Sequence, residues 1–415
     1  MRGIALVGAA TLALTACAQD DEGNGGEGEA TGGDGVFKLG YILPETGDLA
    51  FLGPPQIEAT KYAIDQINAA GGVLGKEIPA VAGRDEAGQE AVAAQSADQV
   101  LGEDVDAVIG AAASGMSLAI IDKITGAEVA QCSGSNTAPT FTDYEDNGFY
   151  FRTAPSDVLQ GPILASTIIG DGHSNVALVA RADDYGRGLL QATKESLEEQ
   201  GASVVLDETY DPKGTNFDPV VQQIEGSNPD AAVVIGFEEG TQILQGMIES
   251  GVGPNDIGVY GADGLRNEDL ANLVSKSDPG QLEGMKGTAP ASVENKEFTD
   301  GLKESAPDLK ELQFAPQVFD CVVVMALAAE AAGSDSAADF APGVNGVTKD
   351  GEKCTSFEDC KALLDEDKDI DYDGVSGPLD FIDAGEPGVA SIEVYGFDSD
   401  GKMEVISTEK SELEE

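Results

Sequence analysis

The stretch NVALVARADDYGRGLLQATKESLEEQGA, residues 175–202, decides the fold. It starts with an apolar run, 175–181, of the kind that forms a buried strand. After a short polar turn it continues as an amphipathic run that ends close to Gly201, as helices commonly do. A strand followed by a helix of this length is the repeating unit of parallel sheets that are covered by helices on both faces.

The same alternation recurs along the chain. The further strand candidates are VFKLGYIL (36–43), DAVIGA (106–111), DAAVVIGF (230–237) and IGVYGA (257–262), and further helix candidates are PPQIEATKYAIDQINAA (54–70) and TQILQGMIESGV (241–252). The pattern predicts an α/β fold with parallel sheets. About 380 residues follow position 35, more than the ~250–300 that one core can serve, so we expect two lobes. Glycine and proline clusters at 286–291 and 374–378 are candidate points where the chain changes lobe.

The N-terminus is typical of an exported lipoprotein. Arg2 precedes an apolar run, 4–16, that is too short to span a bilayer and therefore indicates a signal peptide, residues 1–16. The motif LTAC (14–17) resembles a bacterial lipobox, which makes Cys17 the predicted lipidated residue. The acidic, glycine-rich residues 17–35 are typical of a flexible tether. The alternative is an ordinary signal peptide with an accidental cysteine.

Charge and cysteine content narrow the possible functions. The chain has 76 acidic and 23 basic residues, a formal net charge of −53, which argues against nucleic-acid binding and suggests a heavily hydrated surface in a saline habitat. Apart from Cys17, four cysteines remain, and in an exported chain they predict disulfide bonds. Three pairings are open. The short spacing favours Cys354–Cys360, which leaves Cys132–Cys321. One histidine and this cysteine spacing argue against zinc.

Polar side chains follow several of the predicted strands. They are Ser114, the pair Asp184 and Tyr185, the run 237–239, Asp263 and the loop QCSGSNT (131–137). Ligands of open α/β folds bind beyond the carboxyl ends of the strands. The sequence therefore predicts that these groups converge on one ligand site.

The chain resembles bacterial solute-binding proteins of the branched-chain amino acid type, which serve ABC importers. The resemblance rests on GYILPETGDLAFLG, AIDQINAAGGVLGKEI, VIGAAASG, SGSNTAPTFT, YFRTAPSD, DDYGRGL, GADG, FDCVVVMALAAEAAG and DYDGVSGPLDF, in this order. It implies a type I periplasmic binding protein, with two Rossmann-like lobes joined by three hinge crossings. The expected lobes are 36–155 with 289–376, and 156–288 with 377–415. It also implies a monomer outside the cytoplasm, anchored through Cys17, that delivers an amino acid to permease subunits.

The resemblance also assigns roles to site residues. Ser114 and the run Ser135, Asn136 and Thr137 are expected to bind the α-carboxylate of the ligand. Small residues with hydroxyl and backbone donors suit such a group. Asp263 is expected to pair with the α-ammonium group, beside Tyr185. The expected walls of the side-chain pocket are Phe237 and Leu52.

Two departures from the family pattern leave the ligand open. Leu52 stands where relatives often carry an aromatic residue, so an aliphatic amino acid competes with amides, urea and aromatic acids. Glu238 and Glu239 are expected to face solvent; if either pointed inward, a cationic or amide side chain would be favoured.

Other functions are weaker candidates. A ligand sensor on the same fold remains an alternative. The sequence lacks the histidine base and the nucleophile motif that a hydrolase needs, so we predict that the protein is not an enzyme. We also predict no cofactor. The run 369–380 has the aspartate spacing of a calcium loop, but Gly377 and Pro378 interrupt it, so no metal is predicted. GGVLGKE (71–77) fails the spacing of a phosphate-binding loop.

Overall fold

The computed structural model describes residues 33–291 and 295–413. The predicted signal peptide, the lipidation site Cys17 and most of the predicted tether lie outside the described residues. The strands are β1 Leu39–Leu43, β2 Ala82–Asp85, β3 Ala107–Gly110, β4 Ala130–Ser133, β5 Tyr150–Arg152, β6 Asn175–Arg181, β7 Ser203–Tyr210, β8 Ala231–Ile235, β9 Gly258–Gly261, β10 Lys286–Pro290, β11 Glu352–Cys354, β12 Ile370–Gly374, β13 Gly377–Pro378, β14 Val389–Phe397 and β15 Met403–Glu412. The helices are α1 Gly53–Ala69, α2 Glu90–Leu101, α3 Ser114–Thr125, α4 Asp157–Gly170, α5 Asp184–Glu199, α6 Asp218–Ser227, α7 Gly240–Glu249, α8 Leu270–Val274, α9 Lys296–Ser305, α10 Ala315–Ala332, α11 Ala337–Phe340 and α12 Phe357–Leu364.

The first lobe is built on a parallel sheet with the strand order β2-β1-β3-β4-β5. Its short strands are apolar along their whole length where helices cover both faces, as parallel sheets require. Helix α10 returns late in the chain and packs against α1 and β4. Among the described helices it alone is long and apolar enough to cross a membrane, but 83% of it is buried within the lobe, so it is a core helix.

The second lobe has a seven-stranded sheet with the order β15-β14-β10-β9-β8-β6-β7. Strands β10, β9, β8, β6 and β7 are parallel, and β6 spans the run 175–181 that the sequence predicts. The sheet differs from the parallel expectation at one edge, where β14 and β15 are antiparallel. A short turn joins these two strands, and a short turn can only connect antiparallel neighbours.

The chain passes between the sheets three times, after β5, after β10 and after β13. Strand β10 belongs to the second sheet and runs to Pro290, two residues beyond the predicted change of lobe at 288/289. A small sheet, β11-β12-β13, precedes the third passage. The α/β architecture with two Rossmann-like lobes is as predicted.

Two disulfide bonds are present, with the pairing that the sequence favours. Cys132–Cys321 joins β4 to α10 with a Cα–Cα distance of 5.8 Å, and Cys354–Cys360 closes a local loop with a Cα–Cα distance of 5.2 Å. The first bond ties the strand that leads into the QCSGSNT loop to the central helix of the lobe. It therefore holds one wall of the cleft in place.

Candidate functional site

The carboxyl ends of the parallel strands of both lobes meet at a small cavity of about 20 Å³. Its lining comes from both lobes, and the residues are Leu49, Leu52, Ala112, Ala113, Ser114, Ser135, Tyr185, Phe237, Asp263, Gly264 and Phe314. A space of this size holds one or two water molecules. The lobes are thus closed on each other, and a larger molecule can enter only when they move apart.

Six of the eight predicted ligand-binding residues line this cavity. They are Leu52, Ser114, Ser135, Tyr185, Phe237 and Asp263. The side chains of Asn136 and Thr137 do not line it. Asn136 is fully buried, donates to the carbonyls of Ala111 and Ala112 at 3.1 and 2.8 Å, and accepts from the hydroxyl of Tyr150 at 2.8 Å. Its amide therefore shapes the loop within the first lobe.

The polar loop after β4 is held tightly against its own lobe. A Cβ atom on Gly134 would lie 2.6 Å from the backbone nitrogen of Val318, so only glycine permits this close approach to α10. Ser133 accepts hydrogen bonds from the backbone N–H groups of Ser135 and Asn136 at 3.3 and 3.1 Å. The small residues that stand out in the sequence thus serve first to fold the loop.

Arg152 holds the next part of the loop. Its guanidinium is fully buried and donates to the carbonyls of Asn136 and Ala138 at 3.2 and 2.8 Å. Its Nε donates to the buried carboxylate of Glu386 at 2.6 Å. The positive charge of Arg152 is therefore already matched by Glu386.

The second lobe supplies an aromatic and acidic wall. The hydroxyl of Tyr185 donates to Asp263 Oδ1 at 2.7 Å, and the Tyr185 ring stacks on Phe237 with centroids 5.3 Å apart. The guanidinium of Arg181 lies 3.5 Å from the centroid of Phe237. Phe237 is therefore fixed on a rigid platform, because its ring interacts with both the phenol and the cation.

The expectation that Glu238 and Glu239 both face solvent is wrong for Glu239. Glu239 is 8% exposed and binds Arg181 at 3.0 Å and the hydroxyl of Tyr210 at 3.1 Å. A buried carboxylate needs such partners, and Arg181 provides them behind the pocket wall. Glu238 is exposed, and neither acid lines the small cavity.

Asp157, the first residue of α4, is a buried acid near the cavity that the sequence analysis missed. It is fully buried, and its Oδ2 accepts from the hydroxyl of Thr137 at 3.1 Å, across the interface between the lobes. Its Oδ1 has no hydrogen-bond partner within the described residues. Nearby, the amide of Gln160 donates to Asp263 Oδ1 at 3.0 Å. Thr137 is thus connected to the site through Asp157.

Two buried carboxylates therefore share this part of the cleft without a cation of their own. Burial, then the negative charge of Asp263, raises the pKa of Asp157 well above its usual range, against smaller opposite effects of Thr137 and Arg152. Burial likewise raises the pKa of Asp263, although hydrogen bonds from Tyr185 and Gln160 oppose the rise. Arg152 is close enough to act on Asp157, but Glu386 matches its charge. A ligand cation at this point would favour both ionised carboxylates.

The opposite wall has the other polarity. Helix α3 begins at Ser114, and the first turn of a helix leaves N–H groups without intrahelical partners, which makes it suitable for an anion. The loop before it is fixed by Glu86, whose carboxylate accepts from the N–H groups of Ala112 and Ala113 at 2.7 and 3.3 Å. Burial raises the pKa of Glu86 to about 8. Ser114, at the start of α3, is thus held facing the cavity.

The run 369–380, which has the aspartate spacing of a calcium loop, does not form such a loop. Residues 370–374 form strand β12, and Lys353 binds Asp371 and Asp373 at 2.9 Å each. Two alternate residues of a strand point to one face, which explains why both carboxylates reach the same lysine. Across the described residues, no group of three or more potential ligands is arranged to hold a metal ion.

Comparison with known families agrees with this architecture. Residues 36–402 match the family model described as periplasmic binding protein. A Leu/Ile/Val-binding protein, BraC3, of Rhizobium johnstonii is 25% identical over 317 residues, which cover 76% of this chain and 84% of that protein. Such relatives are solute-binding proteins and not enzymes, as the sequence analysis predicted.

Solved structures show the same fold. The branched-chain amino acid transporter substrate-binding protein LivJ of Streptococcus pneumoniae, in complex with isoleucine, superposes with a TM-score of 0.72 at 24% identity. The match covers 91% of this chain and all of that one. A solute-binding protein of Rhodopseudomonas palustris in complex with p-hydroxybenzoic acid gives a TM-score of 0.74 at 19% identity, over 91% and 98% of the two chains.

Proposed function

The chain belongs to the periplasmic binding protein family, and we propose that it captures a free amino acid with an aliphatic side chain between its two lobes. The observation that carries the proposal is the buried carboxylate of Asp263, which lines the same cavity as Ser114 at the amino end of α3. A second buried carboxylate, Asp157, is near enough for the negative charge of Asp263 to raise its pKa. A zwitterion complements this arrangement, because its ammonium group matches the acids and its carboxylate matches the helix terminus.

The side-chain preference follows from the apolar part of the lining. Leu49, Leu52, Phe237 and Phe314 form the large apolar part of the lining. Such walls favour an aliphatic side chain and disfavour a charged one. The Rhizobium relative is named a Leu/Ile/Val-binding protein, in agreement with this choice.

Closure would be driven by the ligand. Asp157 and Asp263 belong to the second lobe, whereas Thr137, which bonds Asp157, belongs to the first. Bringing the lobes together removes both carboxylates from water, which is unfavourable without a cation. A bound ammonium group offsets that cost only in the closed form, so the ligand shifts the equilibrium towards closure.

Three ligands that share one carbon skeleton test the proposal. Leucine carries both charged groups, 4-methylpentanoate lacks the ammonium group, and 3-methylbutylamine lacks the carboxylate. We expect calorimetry to detect leucine binding at least tenfold tighter than binding of either analogue, because each loses a charged hydrogen-bonded contact. Equal binding of leucine and 4-methylpentanoate would refute an ammonium site.

A second candidate is an aromatic acid ligand. The Rhodopseudomonas neighbour of similar fold binds p-hydroxybenzoic acid, and Phe237 and Tyr185 form a stacked wall here. Benzoate and 4-hydroxybenzoate therefore belong in the same titration. Their binding in preference to all amino acids would favour this candidate, although it leaves the two buried carboxylates without a partner.

We further propose that the protein acts outside the cytoplasm, anchored through a lipid on Cys17, and that it delivers its ligand to an ABC importer as a monomer. The supporting features are the LTAC motif and the acidic stretch that follows it. Cys17→Ser should release the protein from the membrane fraction. Loss of ligand uptake in cells without the protein would distinguish an importer component from a sensor.

A further inference from the structure

Arg266 lies three residues after Asp263, and its side chain is 15% exposed. Its guanidinium binds two carboxylates. One is Glu393 on β14, within the second lobe, and the other is Glu311 at 3.0 Å. Glu311 precedes α10 in a segment whose Leu309 and Leu312 pack against the core of the first lobe. The pair Arg266–Glu311 therefore crosses the cleft.

A second bond crosses at the same place. The amide of Gln313 donates to the backbone carbonyl of Asp263 at 2.9 Å. Glu311 Oε1 also accepts from the N–H groups of Leu312 and Gln313, at 2.8 and 3.0 Å. One carboxylate thus binds Arg266 and shapes the segment that carries Gln313. The two crossing bonds form one connected unit.

We propose that Arg266, Glu311 and Gln313 form a latch that stabilises the closed form without help from the ligand and positions the turn carrying Asp263. The three are positioning residues, since none of them lines the small cavity. The bond from Gln313 fixes the backbone of Asp263 only when the lobes are together. The latch therefore aligns the proposed ammonium site at the moment of closure.

The arrangement suits repeated opening. When the lobes separate, Arg266 keeps Glu393, and Glu311 keeps its two backbone donors. Neither charged group is then left buried without a partner, the situation that makes breaking an ordinary buried pair so costly. Opening therefore costs the crossing bonds alone, and the latch remains weak enough to release the ligand.

A tryptophan reporter can follow the lobes, because the chain has no tryptophan. Leu273 on α8 is 44% exposed and lines an outer groove between the lobes, as does Leu309. Leu273→Trp in the full-length protein therefore places one fluorophore where opening changes its exposure to water. Glu311→Gln is made in this background, with Glu393→Gln as the matched control, since both remove one charge from the same guanidinium.

Without ligand, we expect Glu311→Gln to shift the tryptophan emission to longer wavelength, as in an opened cleft, while Glu393→Gln leaves it unchanged. With leucine as the probe, Glu311→Gln should speed dissociation about tenfold without slowing association, as loss of a close charge pair across an interface does. Glu393→Gln should change the dissociation rate less than twofold. Gln313→Ala should move both readouts in the same direction as Glu311→Gln.

Unchanged emission in both Glu311→Gln and Gln313→Ala would overturn the latch, as would equal shifts in Glu311→Gln and Glu393→Gln. The inference rests on the proposed function only for its leucine measurement. The emission measurement needs no ligand, so a shift in a protein that binds no amino acid would refute the proposed function and leave the latch standing.

Discussion

Replacing Asp157 with asparagine should weaken ligand binding and, at the same time, stabilise the ligand-free protein. Asparagine keeps the size of the side chain and an oxygen for the hydroxyl of Thr137, which now bonds Oδ2 at 3.1 Å. It removes one of two negative charges that are buried together without a cation of their own. The two effects have opposite signs because the acids are unfavourable alone and favourable beside an ammonium group.

The magnitudes follow from the same contacts. Loss of a charged hydrogen bond to the ligand costs about 1.5–3 kcal/mol, a roughly 10- to 150-fold increase in Kd. At an effective dielectric of 20, two like unit charges at ~4 Å repel by about 4 kcal/mol, and the repulsion falls in inverse proportion to their separation. Protonation relieves part of this in the wild type, because the pKa values of both groups are raised. We therefore expect a gain of about 1–2 kcal/mol in the free energy of unfolding at pH 7.

Calorimetry with leucine and chemical unfolding without ligand measure the two quantities. The control is Asp320→Asn, since Asp320 is also fully buried but accepts from four donors, the hydroxyl of Tyr372, the N–H of Val375, and the N–H and hydroxyl of Ser376. Its loss should destabilise the protein by about 1–3 kcal/mol. It should leave the affinity for leucine within threefold.

A purely structural role for Asp157 makes a different prediction. If it served only to hold Thr137 and the start of α4, asparagine would lower stability, as it does at Asp320. Lower stability of Asp157→Asn without ligand would therefore refute the reasoning, whatever happened to the affinity. Unchanged affinity for leucine would refute the role of Asp157 in ammonium binding.

Three further outcomes are expected. The pKa values of Asp157 and Asp263 are raised in the folded protein, so the ligand-free protein loses stability as pH rises above the ordinary carboxyl range of about 4. The increase in Tm caused by leucine should therefore grow from pH 5 to pH 7. An increase that stays constant with pH would contradict this prediction. Leu52→Ala should enlarge the pocket and improve binding of phenylalanine relative to valine by about tenfold or more in calorimetry, whereas an unchanged ranking would remove Leu52 from the pocket wall. Replacing Cys132 and Cys321 with serine should lower the free energy of unfolding by about 5 kcal/mol, against about 2 for Cys354 and Cys360, since the bridged residues are 189 and 6 positions apart; equal losses in urea unfolding would contradict this.

The strands could be predicted from the sequence where their apolar pattern matches their position in the middle of a sheet. The run 175–181 is apolar from Val176 to Ala180 because β6 lies between β7 and β8 with helices on both faces, so the strand could be read directly. Strand β15 lacks that signal, since it is the edge strand and most of its residues are exposed, whereas β14 lies between β15 and β10. The direction of β14 and β15 depends on a short connecting turn, a feature that apolar periodicity does not report.

The sequence likewise predicted some of the cleft residues and missed others. Residues just after apolar strands, such as Ser114 and Asp263, could be assigned to the cleft because strand ends converge. Asp157 follows Ser156 at the start of a helix, where an acid has an ordinary local explanation as a partner of the helix dipole. Its proximity to Asp263 depends on how two distant segments of the second lobe pack. The burial of Glu239 was not predicted for the same reason, because its partner Arg181 lies at the end of a different strand.

The contrast between surface and buried acid explains how so acidic a protein can select a ligand by charge. A net charge of −53 attracts every cation in solution, but salt screens exposed charges within about 3 Å at 1 M ionic strength. Asp157 and Asp263 are buried when the lobes close, so salt screens them far less. On the proposed function, selection by charge then occurs at closure, where a cation that carries a suitable carboxylate and an apolar side chain satisfies both walls. Raising the salt concentration should therefore leave leucine affinity nearly unchanged, whereas binding that depended on the surface charge would weaken steeply.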